Sequence, residues 1–215
     1  MISHFLNLEW KQYFRSSYWQ KGIGIKILLG FFGLYLLIVF LSLGVLMFPT
    51  LKKFFPESDP FLIINGFLFY WVLGDLIARF FLQKLPVMTI KPLLTLPVKR
   101  SKVVNYVLGK SAISFFNFLP LFAFVPFTFV LIGEDYNVSQ TLVWLAAVFL
   151  VVLIINYLNF IIENLSAKSD LSFLPLLGVA SGLFALDYFK IVSFSDFVSS
   201  GMLAISKNPI LLIIP

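Results

Sequence analysis

Along the chain, uncharged apolar runs alternate with shorter segments that carry almost all of the charge. A helix that crosses a bilayer needs about 20 predominantly apolar residues. Residues 27–48, 112–132 and 142–162 meet that length without one charged side chain. Residues 61–81 are as long but hold Asp75 and Arg79, and the run at 171–189 holds Pro175 and recruits Asp187 to reach its length. The pattern predicts an all-α, polytopic helical membrane protein, a single membrane domain with five transmembrane helices plus the start of a sixth. Residues 191–205 read as an external or re-entrant amphipathic piece, and Asn208-Pro209 as the entry to the sixth span. The final run, Ile210 to Pro215, stops with no polar tail, so the chain reads as the N-terminal part of a longer protein or as one whose sixth helix is supplied elsewhere.

The first 26 residues follow a different pattern. At helical spacing, Ile2, Phe5, Leu6, Trp10, Tyr13, Phe14 and Tyr18 share one face, while His4, Asn7, Lys11 and Arg15 share the other. That is the arrangement of an amphipathic helix lying in the membrane interface, with Trp10, Tyr13, Tyr18 and Trp19 at headgroup level and Lys11 and Arg15 anchoring it. A helix packed on a soluble partner is the alternative. Glu9 and the lack of a small-residue cleavage pattern argue against a secretory signal.

Composition sharpens the membrane assignment. The chain is 60% hydrophobic, 18% aromatic and only 12% charged, with a mean hydropathy of +0.98, far from a soluble domain. The net charge of +6 therefore points to membrane surfaces, and no nucleic-acid partner is expected. Basic residues in short flanks mark cytoplasmic segments. Lys11, Arg15, Lys21 and Lys26 precede the first span, and Lys84, Lys91, Lys99, Arg100, Lys102 and Lys110 lie between the second and third. The other two connections balance or lack bases: Lys52 and Lys53 face Glu57 and Asp59, and Glu134 and Asp135 stand alone. A cytoplasmic N-terminus satisfies all four segments.

Candidate chemistry is sparse. Cysteine is absent and His4 is the only histidine, which removes disulfides, Cys/His metal sites and interior Ser-His-Asp triads. No catalytic residue, metal or cofactor is expected, and the chain does not read as an enzyme. Gly109-Lys110-Ser111 is not a phosphate loop, because position 104 is Val where that loop needs glycine. Asp75 and Arg79, four residues apart, share a helical face and can pair within the membrane. Such charges are functional candidates by default, in a substrate path or a gate, although Arg79 snorkelling to headgroups with Asp75 as counter-ion serves structure alone. Asn65, Asn156 and Asn159 read as interhelical hydrogen-bonding groups, and Gly178 and Gly182 as a site of close helix approach.

The most informative segment is the connection 83–111. Prolines at 86, 92 and 97 cut it into short pieces, and Pro92 can open a helix of one or two turns that exposes Leu93, Leu94 and Leu96. From Leu93 through Pro97, Lys99 and Arg100, then Gly109-Lys110, the segment resembles the cytoplasmic loop between the second and third spans of ABC-2 type exporter permeases. Leu8-Glu9-Trp10-Lys11 with Arg15 is similar to the N-terminal segment of the same superfamily, and the order of interfacial helix, span, short external loop, span and loop matches it. Within that superfamily the chain is most similar to a phenylalanine-rich bacterial membrane-protein family. The motif covers about twenty residues, and the loop departs from the family pattern in having no Asp or Glu.

The resemblance implies a bacterial inner-membrane permease subunit or half. Pro92, Leu93, Leu94, Leu96, Pro97, Lys99 and Arg100 would form a coupling helix docked on a separate ATP-binding-cassette ATPase, and a second permease half or a homodimer would complete the path. On the residues alone the same loop can lie on the lipid bilayer, leucines down and lysines out. A membrane scaffold or assembly factor that recruits a partner without transport is the rival function.

Overall fold

The computed structural model describes residue 11 and residues 23–83, 100–166 and 173–212. All regular structure among the described residues is helical. The helices are α1 (Ile23–Phe54), α2 (Pro60–Leu82), α3 (Arg100–Ala112), α4 (Phe115–Gly133), α5 (Val138–Ser166), α6 (Phe173–Tyr188) and α7 (Phe194–Lys207), followed by a 3₁₀ turn, η1 (Pro209–Leu212).

Four stretches are long and apolar enough to cross a membrane: α1, α2, Ser101–Gly133 across α3 and α4, and α5 up to Glu163. The apolar helix α6 is shorter. The surfaces agree with a lipid setting. Only 11% of the apolar window of α1 is buried within the chain, and Ile27, Phe31 and Leu34 stand exposed along it. At roughly 25 cal/mol per Å² of apolar area, such a surface opposes an aqueous environment. The chain is therefore a helical membrane protein.

Two helical hairpins build the bundle. Residues 55–59 join α1 to α2, where the Asp59 side chain accepts from the Phe61 N–H at 2.9 Å and Pro60 takes the first helical position. Residues 134–137 join α4 to α5, where Asn137 Oδ1 accepts from the Gln140 N–H at 3.2 Å. Both turns lie at one end of the bundle. The Tyr136 hydroxyl donates to Asp59 Oδ1, Lys52 Nζ approaches Glu134 at 3.7 Å, and the Phe48 and Tyr136 rings meet edge to face.

The helices pack α1 on α4, α4 on α5 and α5 on α2, with α7 set against both α2 and α5. At the turn end Trp144 is fully buried, touching Phe61, Phe124 and Phe127 edge to face, and its indole N–H donates to Asn65 Oδ1 at 2.6 Å. Where α1 crosses α4, Gly44 is buried, and a Cβ built on it would overlap the Ala123 carbonyl. Only glycine permits that backbone-to-backbone approach.

Residues 191–205, expected outside the bundle or re-entrant, are largely α7. Its face bearing Met202 joins the apolar core with Phe61 and Trp144. Helices α6 and α7 follow α2 in the opposite direction. Phe173 meets Phe81, Phe184 meets Tyr70, and Phe194 stacks on Phe69, before Met202 reaches the cluster around Phe61.

Candidate functional site: a buried polar clamp

The end of the bundle away from the two turns holds a network of buried polar side chains centred on Arg79. Its guanidinium is completely buried and makes four hydrogen bonds. Nε donates to Asp75 Oδ2 at 2.7 Å, Nη1 to Asn117 Oδ1 at 2.6 Å and to Gln83 Oε1 at 3.2 Å, and Nη2 to the Phe116 carbonyl at 2.7 Å. A buried cation is tolerable only with this degree of pairing.

Each partner has a reason in the local sequence. In an α-helix the Phe116 carbonyl would accept from the N–H four residues on, but that residue is Pro120, which has none. Arg79 supplies the missing donor from the neighbouring helix. At the break between α3 and α4, residues 113–114, turn bonds replace α-helical ones at the end of α3, the Ser111 carbonyl accepting from the Ser114 N–H at 3.1 Å. The Asn117 side-chain amide donates to the carbonyls of Ser111 and Ala112, both at 3.0 Å. Arg79 thus bonds the carbonyl that Pro120 leaves open in α4, and Asn117 ties the end of α3 to the start of α4.

The network continues into α5. Gln83 Nε2 donates to Asn156 Oδ1 at 2.7 Å, Asn156 Nδ2 to Ser111 Oγ at 3.0 Å, and Asn159 Nδ2 to the Gln83 carbonyl at 3.3 Å. The side chains of Arg79, Gln83, Asn117, Asn156 and Asn159 are all buried. Helices α2, α3, α4 and α5 are thus joined where the chain leaves α2 at Gln83 and at Ser111, near the C-terminal end of α3, eleven residues after that helix begins at Arg100.

A second polar group lies halfway along α2. Asp187, near the end of α6, is 5% exposed. It accepts from the Tyr70 hydroxyl, from the Ser195 N–H at 2.8 Å and from Ser195 Oγ at 3.1 Å. Helix α6 ends in a Schellman arrangement, with the Lys190 N–H donating to the Asp187 carbonyl and the Ile191 N–H to that of Leu186, both at 3.0 Å. Lys190 takes the left-handed position usual for glycine, at φ 54°. The Asp187 carboxylate then meets the exposed N–H groups of the first turn of α7.

The structure places Asp75 and Arg79 in direct contact. Of the coupling segment, Pro92, Leu93, Leu94, Leu96, Pro97 and Lys99 lie outside the described residues, and Arg100 opens α3. Trp10, Tyr13, Arg15, Tyr18 and Trp19 also lie outside them, and Lys11 is exposed. Sequence reasoning passed over Asn117 and Gln83, although a lone amide three residues before a proline in an apolar run is a legible signal. It also missed Tyr70 and Ser195 as partners of Asp187, which no periodicity connects.

The clamp can fix helix ends relative to one another and transmit displacement among them. No curated protein and no solved structure matches the chain. A family model does: residues 9–215 match the family of unknown function DUF5687, and the chain belongs to that family.

Proposed function

We propose that the chain is the membrane permease subunit, or one half, of an ABC-2-like exporter. It would move a substrate across or out of the bacterial inner membrane with ATP hydrolysed by a separate cassette subunit. The N-terminus and the connection 84–99 then face the cytoplasm. The fold would cross the membrane five times, the fifth crossing being α6 and α7 in series, and a sixth crossing would begin at Pro209. The chain itself would carry no enzymatic activity.

The observation that carries this reading is the attachment of the connection 84–99 to the clamp. Its first anchor, Gln83, is bonded through side chain and carbonyl to Asn156 and Asn159 of α5 and lies against Arg79 of α2. Its second anchor, α3, reaches the same network through Ser111. A load applied to a coupling helix at Pro92 to Pro97 would therefore reach α2, α4 and α5 together, through buried hydrogen bonds that resist independent motion. A short helix bounded by prolines suits this role, since little ordering entropy opposes its docking.

The test is affinity purification in mild detergent of the wild type and of the Leu93→Ser, Leu94→Ser, Leu96→Ser triple variant. An ATP-binding-cassette subunit that travels with the wild type and is lost from the variant supports the permease. Its absence from both sinks the coupling-helix reading and leaves a scaffold as the better description.

A further inference from the structure

The break between α6 and α7 falls at an unusual depth. Its flanking residues Asp187 and Phe194 meet Tyr70 and Phe69, the middle of α2, about 15 to 18 Å from either end of that helix at 1.5 Å per residue. If α2 crosses the bilayer, residues 189–193 sit near its centre, where hydrocarbon on either side is about 15 Å thick.

Phe189, Ile191 and Val192 offer apolar side chains to lipid, but the irregular backbone they share and the lysine among them do not suit it. All five of residues 189–193 are non-helical and exposed on the surface of the chain. Lys190 is among them, and Asp196 is exposed on the first turn of α7. Irregular backbone at membrane depth is tolerated only where protein buries it or where it lines water. A charge there must be hydrated or paired. From mid-depth a lysine stem cannot reach either interface. Coverage by another subunit would bury a lysine and an aspartate in the middle of an interface, where such residues are depleted. The helix ends themselves are well made, with the Schellman bonds and the Asp187 cap in place, so the break is built in rather than a frayed end.

We infer that the α6–α7 break, with Lys190 in it and Asp196 on the turn after it, borders a water-filled cavity near the middle of the membrane. Asp187 and Tyr70 lie beneath the break and hold the two half-helices in register. This inference rests on the reading that α2 crosses the bilayer, and it does not depend on an ATPase partner.

The chain has no cysteine, so introduced thiols report without background. Lys190→Cys and Ile191→Cys are compared in native membranes, opened so that both faces are reached, with Ser58→Cys in a turn and Phe31→Cys on the exposed side of α1. The probes are membrane-impermeant methanethiosulfonates, one cationic and one anionic. The cavity requires that Lys190→Cys and Ile191→Cys react with both probes at rates near that of Ser58→Cys and at least about tenfold above that of Phe31→Cys. Slow reaction at both junction positions in membranes, with fast reaction in detergent proving the thiols competent, overturns the cavity while leaving the membrane fold standing. Fast reaction at Phe31→Cys as well would show instead that the helices do not lie in lipid, and the reading beneath the inference would fall.

Discussion

Arg79 donates to the carbonyl of Phe116 at 2.7 Å, across two helices, at the one position where Pro120 denies that carbonyl its usual partner. The bond makes a proline-bearing helix depend on a charge in its neighbour. Replacing Arg79 with Leu leaves the Asp75 carboxylate and the Phe116 and Asn117 oxygens without their donor, and the expected loss is about 3–5 kcal/mol. Arg79→Lys recovers only part of it, since an ammonium cannot reproduce the guanidinium fork. In a Pro120→Ala background the Phe116 carbonyl regains an intrahelical donor. The cost of Arg79→Leu should then fall by about 1 kcal/mol. Thermal unfolding of the four proteins in one detergent measures the cycle, and strict additivity would contradict this account.

Gly44 is where α1 touches α4 backbone to backbone. Gly44→Ala places a methyl group against the Ala123 carbonyl, which neither helix can avoid by a rotamer change. The expected destabilisation is about 1–3 kcal/mol. Gly30→Ala, in the same helix with open space around the new Cβ, should be neutral or slightly stabilising through helix propensity. Equal effects of the two variants on unfolding temperature would show that the crossing is not tight.

Lys190 holds the left-handed position at the end of α6, where an L side chain costs about 1–2 kcal/mol relative to glycine. Lys190→Gly is expected to raise stability by somewhat less than that, because glycine also frees the unfolded chain. Asp187→Ala should lower it, since the Ser195 N–H and the Tyr70 hydroxyl lose their acceptor. Opposite shifts of the unfolding midpoint for the two variants are the outcome to look for.

Tyr136, in the turn outside the helices, has its ionisation pushed upward by burial and then by the acceptor Asp59 beside it. The folded state therefore holds the phenolic proton more tightly than the unfolded chain does. The contribution is fully present below the unfolded value of about 10 and is lost as pH rises above it. Tyr136→Phe should leave unfolding at neutral pH changed only by the lost hydrogen bond and should flatten the alkaline fall in stability. An unchanged alkaline slope would assign that fall to other groups.

Much of the architecture is legible in the residues. The apolar runs at 27–48, 61–81, 112–132 and 142–162 fall within the four helical stretches long and apolar enough to cross a membrane, because hydrocarbon demands length and apolarity and little else. The turns at 55–59 and 134–137 carry their own caps in Asp59, Pro60 and Asn137. The candidate site was legible in part: Asp75 and Arg79 announce themselves as charges in an apolar run. The reach of Arg79 to Asn117 and Phe116 spans 37 to 38 residues, and no periodicity encodes so long a separation.

What the sequence determined by itself is the solvent and the elements: a lipid-facing chain, helices of membrane length, and prolines and amides placed where those helices lose internal hydrogen bonds. Packing between helices selects which groups repair them. Local bonds follow from spacing along one helix. The choice of Arg79 for the Phe116 carbonyl, of Trp144 for Asn65, and of Asp187 for both Tyr70 and Ser195 follows from helices packed side by side. In the dry interior between them, a polar group must take whatever partner the packing brings within reach.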